Sequence, residues 1–107
     1  MGFFKRKFEK NVTRDNQFLK NYATRGNALL MYTEENEAIT KELQSMIYDF
    51  QYTMPSFDPK AKELEKKIKK EFERLTSLLE QPDYEDNDVI SCIRLIRRTI
   101  TDISSMR

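Results

Sequence analysis

An all-α bundle is the fold that this sequence predicts, and three observations predict it. The only prolines are Pro55, Pro59 and Pro82, and the only glycines are Gly2 and Gly26, so long stretches hold no helix breaker. Between those breaks, apolar residues recur at three- and four-residue spacing. The 107 residues are 38% hydrophobic and 35% charged, a balance that suits helices with one apolar face. The expected architecture is an antiparallel bundle of three long helices at about 13–53, 59–81 and 88–105, or of four if the first breaks near Thr33. A basic, aromatic segment at 1–12 precedes a single domain at 13–107, or forms its first helical turns.

The first helix is expected to begin near Thr13. Phe18, Leu19, Tyr22, Gly26, Leu29 and Leu30 fall on one side of a 3.6-residue period. Gly26 costs about 1 kcal/mol in helix propensity, so it marks either a close helix approach or a bend. A second stripe follows in Ile39, Leu43, Met46, Ile47, Phe50 and Met54, in rough phase with Tyr22, Leu29 and Tyr32. One reading is a single helix roughly 60 Å long at 1.5 Å per residue. The other breaks at Thr33 as N-cap, with Glu34, Glu35 and Glu37 at the positive end of the helix dipole. Met31-Tyr32-Thr33 holds no Gly, Pro or Asp, which favours the continuous, bent helix.

Met54-Pro55-Ser56-Phe57-Asp58-Pro59 is a corner, because residues before proline avoid the helical region. Asp58 is placed to cap the next helix, with Pro59 as its first residue. That helix carries Ala61, Leu64, Ile68, Phe72, Leu75 and Leu79 on one face. Pro82 opens the second corner, whose acids are expected to cap the last helix. There Val89, Ile93, Ile96, Ile100 and Ile103 follow a coiled-coil-like seam, widened by Cys92 and Leu95. So wide an apolar arc predicts the most buried helix of the bundle.

The chemistry of catalysis is largely missing. The chain has no histidine and one cysteine, so nucleophilic, acid–base and transition-metal sites lose their usual residues. Cys92 flanks the isoleucine seam and reads as a small buried apolar residue. The acidic run from Asp83 lacks the glycine of a calcium loop at its sixth position and has Arg94 at its twelfth. A diiron bundle needs Glu-x-x-His, and a phosphate loop needs clustered glycines. No enzyme, cofactor or metal is expected. Tyr84-x-x-x-Asp88 fits the Tyr-x-x-x-Asp/Glu pattern of small helical-hairpin substrates of type VII secretion. The central turn carries no Trp-x-Gly, and the tyrosine precedes a helix instead of a tail, so membership is not assigned.

Three surfaces stand out instead. Phe3, Phe4, Lys5, Arg6, Lys7, Phe8 and Lys10 have the composition of an interfacial membrane anchor. Packing of Phe4 and Phe8 on the bundle is the alternative. Arg6 stands where a myristoylation motif needs Ser or Thr. Tyr48 and Tyr52 point away from the Leu43–Ile47–Phe50 stripe and, with the neighbouring Phe57, form a candidate protein-binding surface. Coverage by another helix is the alternative. Arg94, Arg97 and Arg98 could contact phosphates, or pair with acids such as Glu34, Glu35, Glu37 or Glu42.

Charge is segregated along the chain. Residues 1–14 carry five Lys/Arg and one Glu, residues 82–88 carry four acids and no base, and the total is only +1. That total and the lack of a DNA-reading motif make nucleic acid the weakest reading. One cysteine forms no internal disulfide, no apolar run spans a bilayer, and the basic N-terminus lacks a signal-peptide core, so the cytoplasm is the default, with membrane association if the N-terminal segment meets lipid. The expected function is a small, non-catalytic helical adaptor or regulator that binds another protein. A peripheral membrane or assembly protein is the second reading, and nucleic-acid binding through the C-terminal arginines the third. A homodimer is a further expected state, since a long unpaired first helix would expose apolar surface.

Overall fold

The first expected helix ends halfway, and the side chains at the break explain why. The computed structural model describes residues 17–54, 56 and 58–106. Helix α1 occupies 17–29 of them and passes through a 3-10 turn at Leu30–Tyr32. Helix α2 then starts at Glu37 and runs Glu37–Tyr52. Two further helices follow, α3 at Pro59–Glu80 and α4 at Asp86–Ser104. No strand occurs among the described residues. The favoured continuous helix over 13–53 is therefore replaced by the alternative that breaks near Thr33, and the described residues form a bundle of four helices.

Hydrogen bonds from short polar side chains make the break without glycine or proline. The Thr33 N–H donates to the Leu30 carbonyl at 3.1 Å, and the Asn36 N–H to the Thr33 carbonyl at 2.8 Å. The Thr40 hydroxyl donates to the same Thr33 carbonyl at 2.7 Å. Such local bonds offer the backbone an alternative to the helical ladder. The cap of α2 is Asn36, not Thr33; its side-chain oxygen accepts from the Ile39 N–H at 3.2 Å. Folding back also has a packing reason. A straight helix would hold two apolar stripes end to end and wet, whereas the break lays them face to face.

The other ends follow the local chemistry more closely. Asp58 caps α3 through its carboxylate, which accepts from the Lys60 N–H at 2.9 Å, with Pro59 in the first turn. At α4 the expected capping takes another form. Glu85 holds the N-cap position without a side-chain cap bond, and Asp86 and Asp88 sit in the first turn, where the helix dipole favours negative charge.

Cross-helix contacts set the arrangement. Asn36 meets Asp86, Glu42 meets Arg94 and Asp49 meets Arg97, so α2 and α4 advance together and are parallel neighbours. The Cys92 contact to Glu71 pairs α4 with the antiparallel α3. Helix α4 thus packs against both α2 and α3, and buries Val89, Cys92, Ile93, Ile96, Thr99, Ile100 and Ile103. Helix α1 closes the bundle through Tyr22, whose ring lies 5.8 Å from Phe50 of α2 and 5.0 Å, edge-on, from Phe72 of α3. The Arg25 guanidinium covers this cluster, 4.8 Å from the Tyr22 ring centre and 5.2 Å from that of Phe72. Phe50 and Phe72 are almost wholly buried, each contributing about 1.5–3 kcal/mol of apolar burial.

Several stripe positions are less buried than their period predicts. Phe18, Leu30 and Leu64 are half-buried at the margin of the core. Tyr32 and Met54 are exposed, because each lies beyond the last regular turn of its helix, where the period no longer holds.

Candidate functional site

The outer face of α2 carries the aromatic pair. Ile39, Leu43, Met46, Ile47 and Phe50 turn one side of this helix into the core. Tyr48 and Tyr52, four residues apart, consequently stand on the opposite side. They are 62% and 68% exposed, and their ring centroids lie 4.5 Å apart at a tilt of 42°. Among the described residues, no helix covers them. Met54, just past the end of α2, is also exposed. Phe57 lies outside the described residues.

Tyr48 also borders a shallow groove of about 610 Å³ between α2 and α4, lined by Lys41, Gln44, Ser45, Asp49 and Arg97 as well. An ion pair crosses this groove, with Arg97 Nε donating to Asp49 Oδ2 at 2.7 Å. The surface therefore joins two adjoining, tilted phenol rings to a partly buried charge pair. It can offer a partner apolar area, two hydroxyl groups and a directional polar contact.

The predicted anion-contact arginines divide. Arg97 is held by Asp49, and Arg94 Nη2 donates to Glu42 Oε1 at 3.0 Å. Their charge is turned toward α2, one of the two expected alternatives, although Asp49 itself was not among the acids expected. Arg98 is exposed on the next flank of α4. The membrane-surface candidates Phe3, Phe4, Lys5, Arg6, Lys7, Phe8 and Lys10 lie outside the described residues.

Cys92 is 2% exposed and its thiol donates to the Glu71 carbonyl at 3.3 Å. Burial pushes the thiol up to about 11, the Glu71 carboxylate adds to the rise, and Arg74 opposes it. A thiol so held stays protonated at neutral pH and is a poor nucleophile.

A second concavity lay outside the sequence reading. At the end of the bundle where α1 turns into α2, Met31, Tyr32, Glu34, Glu35, Asn36, Pro82, Tyr84 and Asp86 line a cleft of about 490 Å³. The Asn36 side-chain amide donates to Asp86 Oδ1 at 2.9 Å and holds the two connections together. Assigning Tyr32 to the core stripe hid this site; the signal for it was Asn36, a strong cap residue followed three positions later by Ile39.

Comparison with protein-family models, with curated proteins and with solved structures returned no match.

Proposed function

We propose that this chain is a small, non-catalytic helical adaptor or regulator that binds another protein through the Tyr48–Tyr52 face of α2. The observation that carries the reading is the tilted, largely exposed pair of tyrosine rings in mutual contact on an otherwise polar helix face. Tyrosine is enriched among the residues that dominate binding energy, since it buries a large ring at small entropic cost and keeps a polar tip. The adjacent groove and its Asp49–Arg97 pair supply the polar margin that such interfaces have. The residue inventory supports a binding role over catalysis, since the chain has no histidine and its one thiol is buried.

Affinity capture of the tagged chain from its native lysate, beside a Tyr48→Ala/Tyr52→Ala variant, tests the proposal. A stoichiometric protein that co-purifies with the parent and is lost from the variant, with helicity unchanged, supports it. Equal recovery by both overturns the surface.

A further inference from the structure

We propose that the outer face of α3 docks the bundle on an anionic lipid surface. Between Ala61 and Glu71 the exposed positions are 62, 63, 66, 67, 69 and 70, and each of them except Glu63 is lysine. Lys62, Lys66 and Lys70 form a row at four-residue spacing, about 12 Å long at 1.5 Å per residue. Like charges at that spacing repel across the helix surface. Among the described residues, no ion pair engages Lys62, Lys66, Lys67, Lys69 or Lys70, and the pair on α3 joins Arg74 to Glu71. The lysines therefore keep their charge for whatever lies outside the bundle. The whole chain is only +1, so charge is divided between the two ends of the molecule. Helix α3 leads from its lysine-rich half to the corner where Glu34, Glu35 and Asp86 line the acidic cleft. An anionic plane attracts the first end and repels the second, which orients the bundle on it.

Residue chemistry and the direction of α1 select lipid over nucleic acid. Lysine is a compact, hydrated charge without the bidentate fork of arginine, so it suits mobile headgroups better than phosphates at fixed positions. The exposed positions between Ala61 and Glu71 hold no Arg, Asn or Gln to read base edges. Tyr22 meets Phe72, and Arg25, Leu29 and Tyr32 border Phe72 and Thr76, so α1 runs beside α3 in the same direction. Gln17, which precedes Tyr22, therefore lies toward the lysine-rich half of α3. The sequence that joins the bundle there carries Phe3, Phe4 and Phe8 among its Lys and Arg residues. Phenylalanine enters the headgroup boundary of a membrane, and lysine meets its anionic headgroups. Helices α2 and α3 are diagonal in the bundle, each beside α1 and α4, so their outer faces look to opposite sides. The lipid contact leaves the Tyr48–Tyr52 face open and stands or falls separately from it.

The test uses the full chain and co-sedimentation with phosphatidylcholine vesicles, with and without phosphatidylserine. Two variants remove the same number of cations from different faces, Lys62→Gln/Lys66→Gln/Lys70→Gln from α3 and Lys20→Gln/Lys41→Gln/Arg98→Gln from the other three helices. All six positions are exposed, and glutamine keeps the helix propensity of lysine. Circular dichroism checks that each variant folds. The parent is expected to bind only the vesicles that contain phosphatidylserine. The α3 variant binds them at least about tenfold more weakly, and the other variant stays near the parent. The difference between the two variants disappears near 1 M salt, where the screening length is about 3 Å. A parent that ignores phosphatidylserine overturns the proposal, as does an α3 variant that binds like the parent. Equal losses in the two variants overturn it as well, because total charge and not the α3 face would then set the affinity. Binding to a duplex oligonucleotide that exceeds binding to the vesicles at equal phosphate concentration also overturns it and moves the face to nucleic acid.

Discussion

Gly26 of α1 faces Ile47 of α2 so closely that a Cβ on the glycine would lie 2.8 Å from Ile47 Cγ1. The backbone of Gly26 has no positive φ, so close approach, not conformational freedom, is what the missing side chain permits. Ile47 is β-branched and stiff within a helix, so its Cγ1 has little room to yield. Gly26→Ala is expected to lower stability by about 1 kcal/mol net: overpacking costs about 1–3 kcal/mol, and helix propensity returns about 1. In an Ile47→Ala background the same change becomes neutral or stabilising. Urea unfolding of the four chains of this cycle reads the sign reversal, and its absence would remove the steric explanation.

The turn between α1 and α2 depends on Thr40 reaching back to Thr33. Thr33 is 1% exposed, and its hydroxyl lies 3.0 Å from that of Thr40. Thr40→Val keeps the shape and removes the donor. A loss of about 1 kcal/mol is expected, since the Thr33 carbonyl keeps its Asn36 N–H. Hydrogen exchange should quicken first at residues 33–36, and a uniform change along α2 would contradict a local role.

Two ion pairs on α2 should behave differently. Asp49–Arg97 is short and partly buried, with side-chain exposures of 25% and 38%. Glu37–Lys41 is 3.8 Å long and almost fully solvated. Double-mutant cycles are expected to give a coupling of about 0.5–1 kcal/mol for the first, weakened by salt, and almost none for the second. Equal couplings would remove any special role for the ion pair that crosses the α2–α4 groove.

Cys92 links stability to alkaline pH. Folding raises its thiol from 9.0 to about 11, chiefly by burial. The unfolded chain therefore loses this proton first, and stability present below pH 9 falls as pH rises toward 11. Cys92→Ala should show a shallower decline over that window. Parallel declines in the two chains would show that other groups set the alkaline limit.

Neighbours on α2 should separate by face. Phe50→Ala is expected to cost about 3–5 kcal/mol, because it opens a cavity beside Tyr22 and Phe72. Tyr48→Ala, two residues away and exposed, should cost less than about 1 kcal/mol. Comparable losses in thermal unfolding would mean that Tyr48 is covered in solution.

Much of this arrangement was legible before any coordinates. Pro55, Pro59 and Pro82 mark the corners because a ring without an N–H acts locally, whatever surrounds it. The outward direction of Tyr48 and Tyr52 followed from the period of α2 alone. The break at 30–36 was harder to see, since threonine and asparagine side chains make it and both are tolerated within helices. Met54 and Tyr32 were misread for one reason: a helical period says nothing past the last turn.

The sequence by itself determined the helical class of the described residues, the apolar face of each helix, and the absence of histidine. Those features rest on spacing, propensity and residue chemistry, which act over a few positions. Tertiary structure alone decided that α2 and α4 lie parallel and in contact, that Asp49 and Glu42 hold Arg97 and Arg94, and that Met31 and Tyr32 meet Tyr84 around an acidic cleft. Each of these joins residues about 50 positions apart, and only the mutual burial of four apolar faces chooses which distant positions become neighbours.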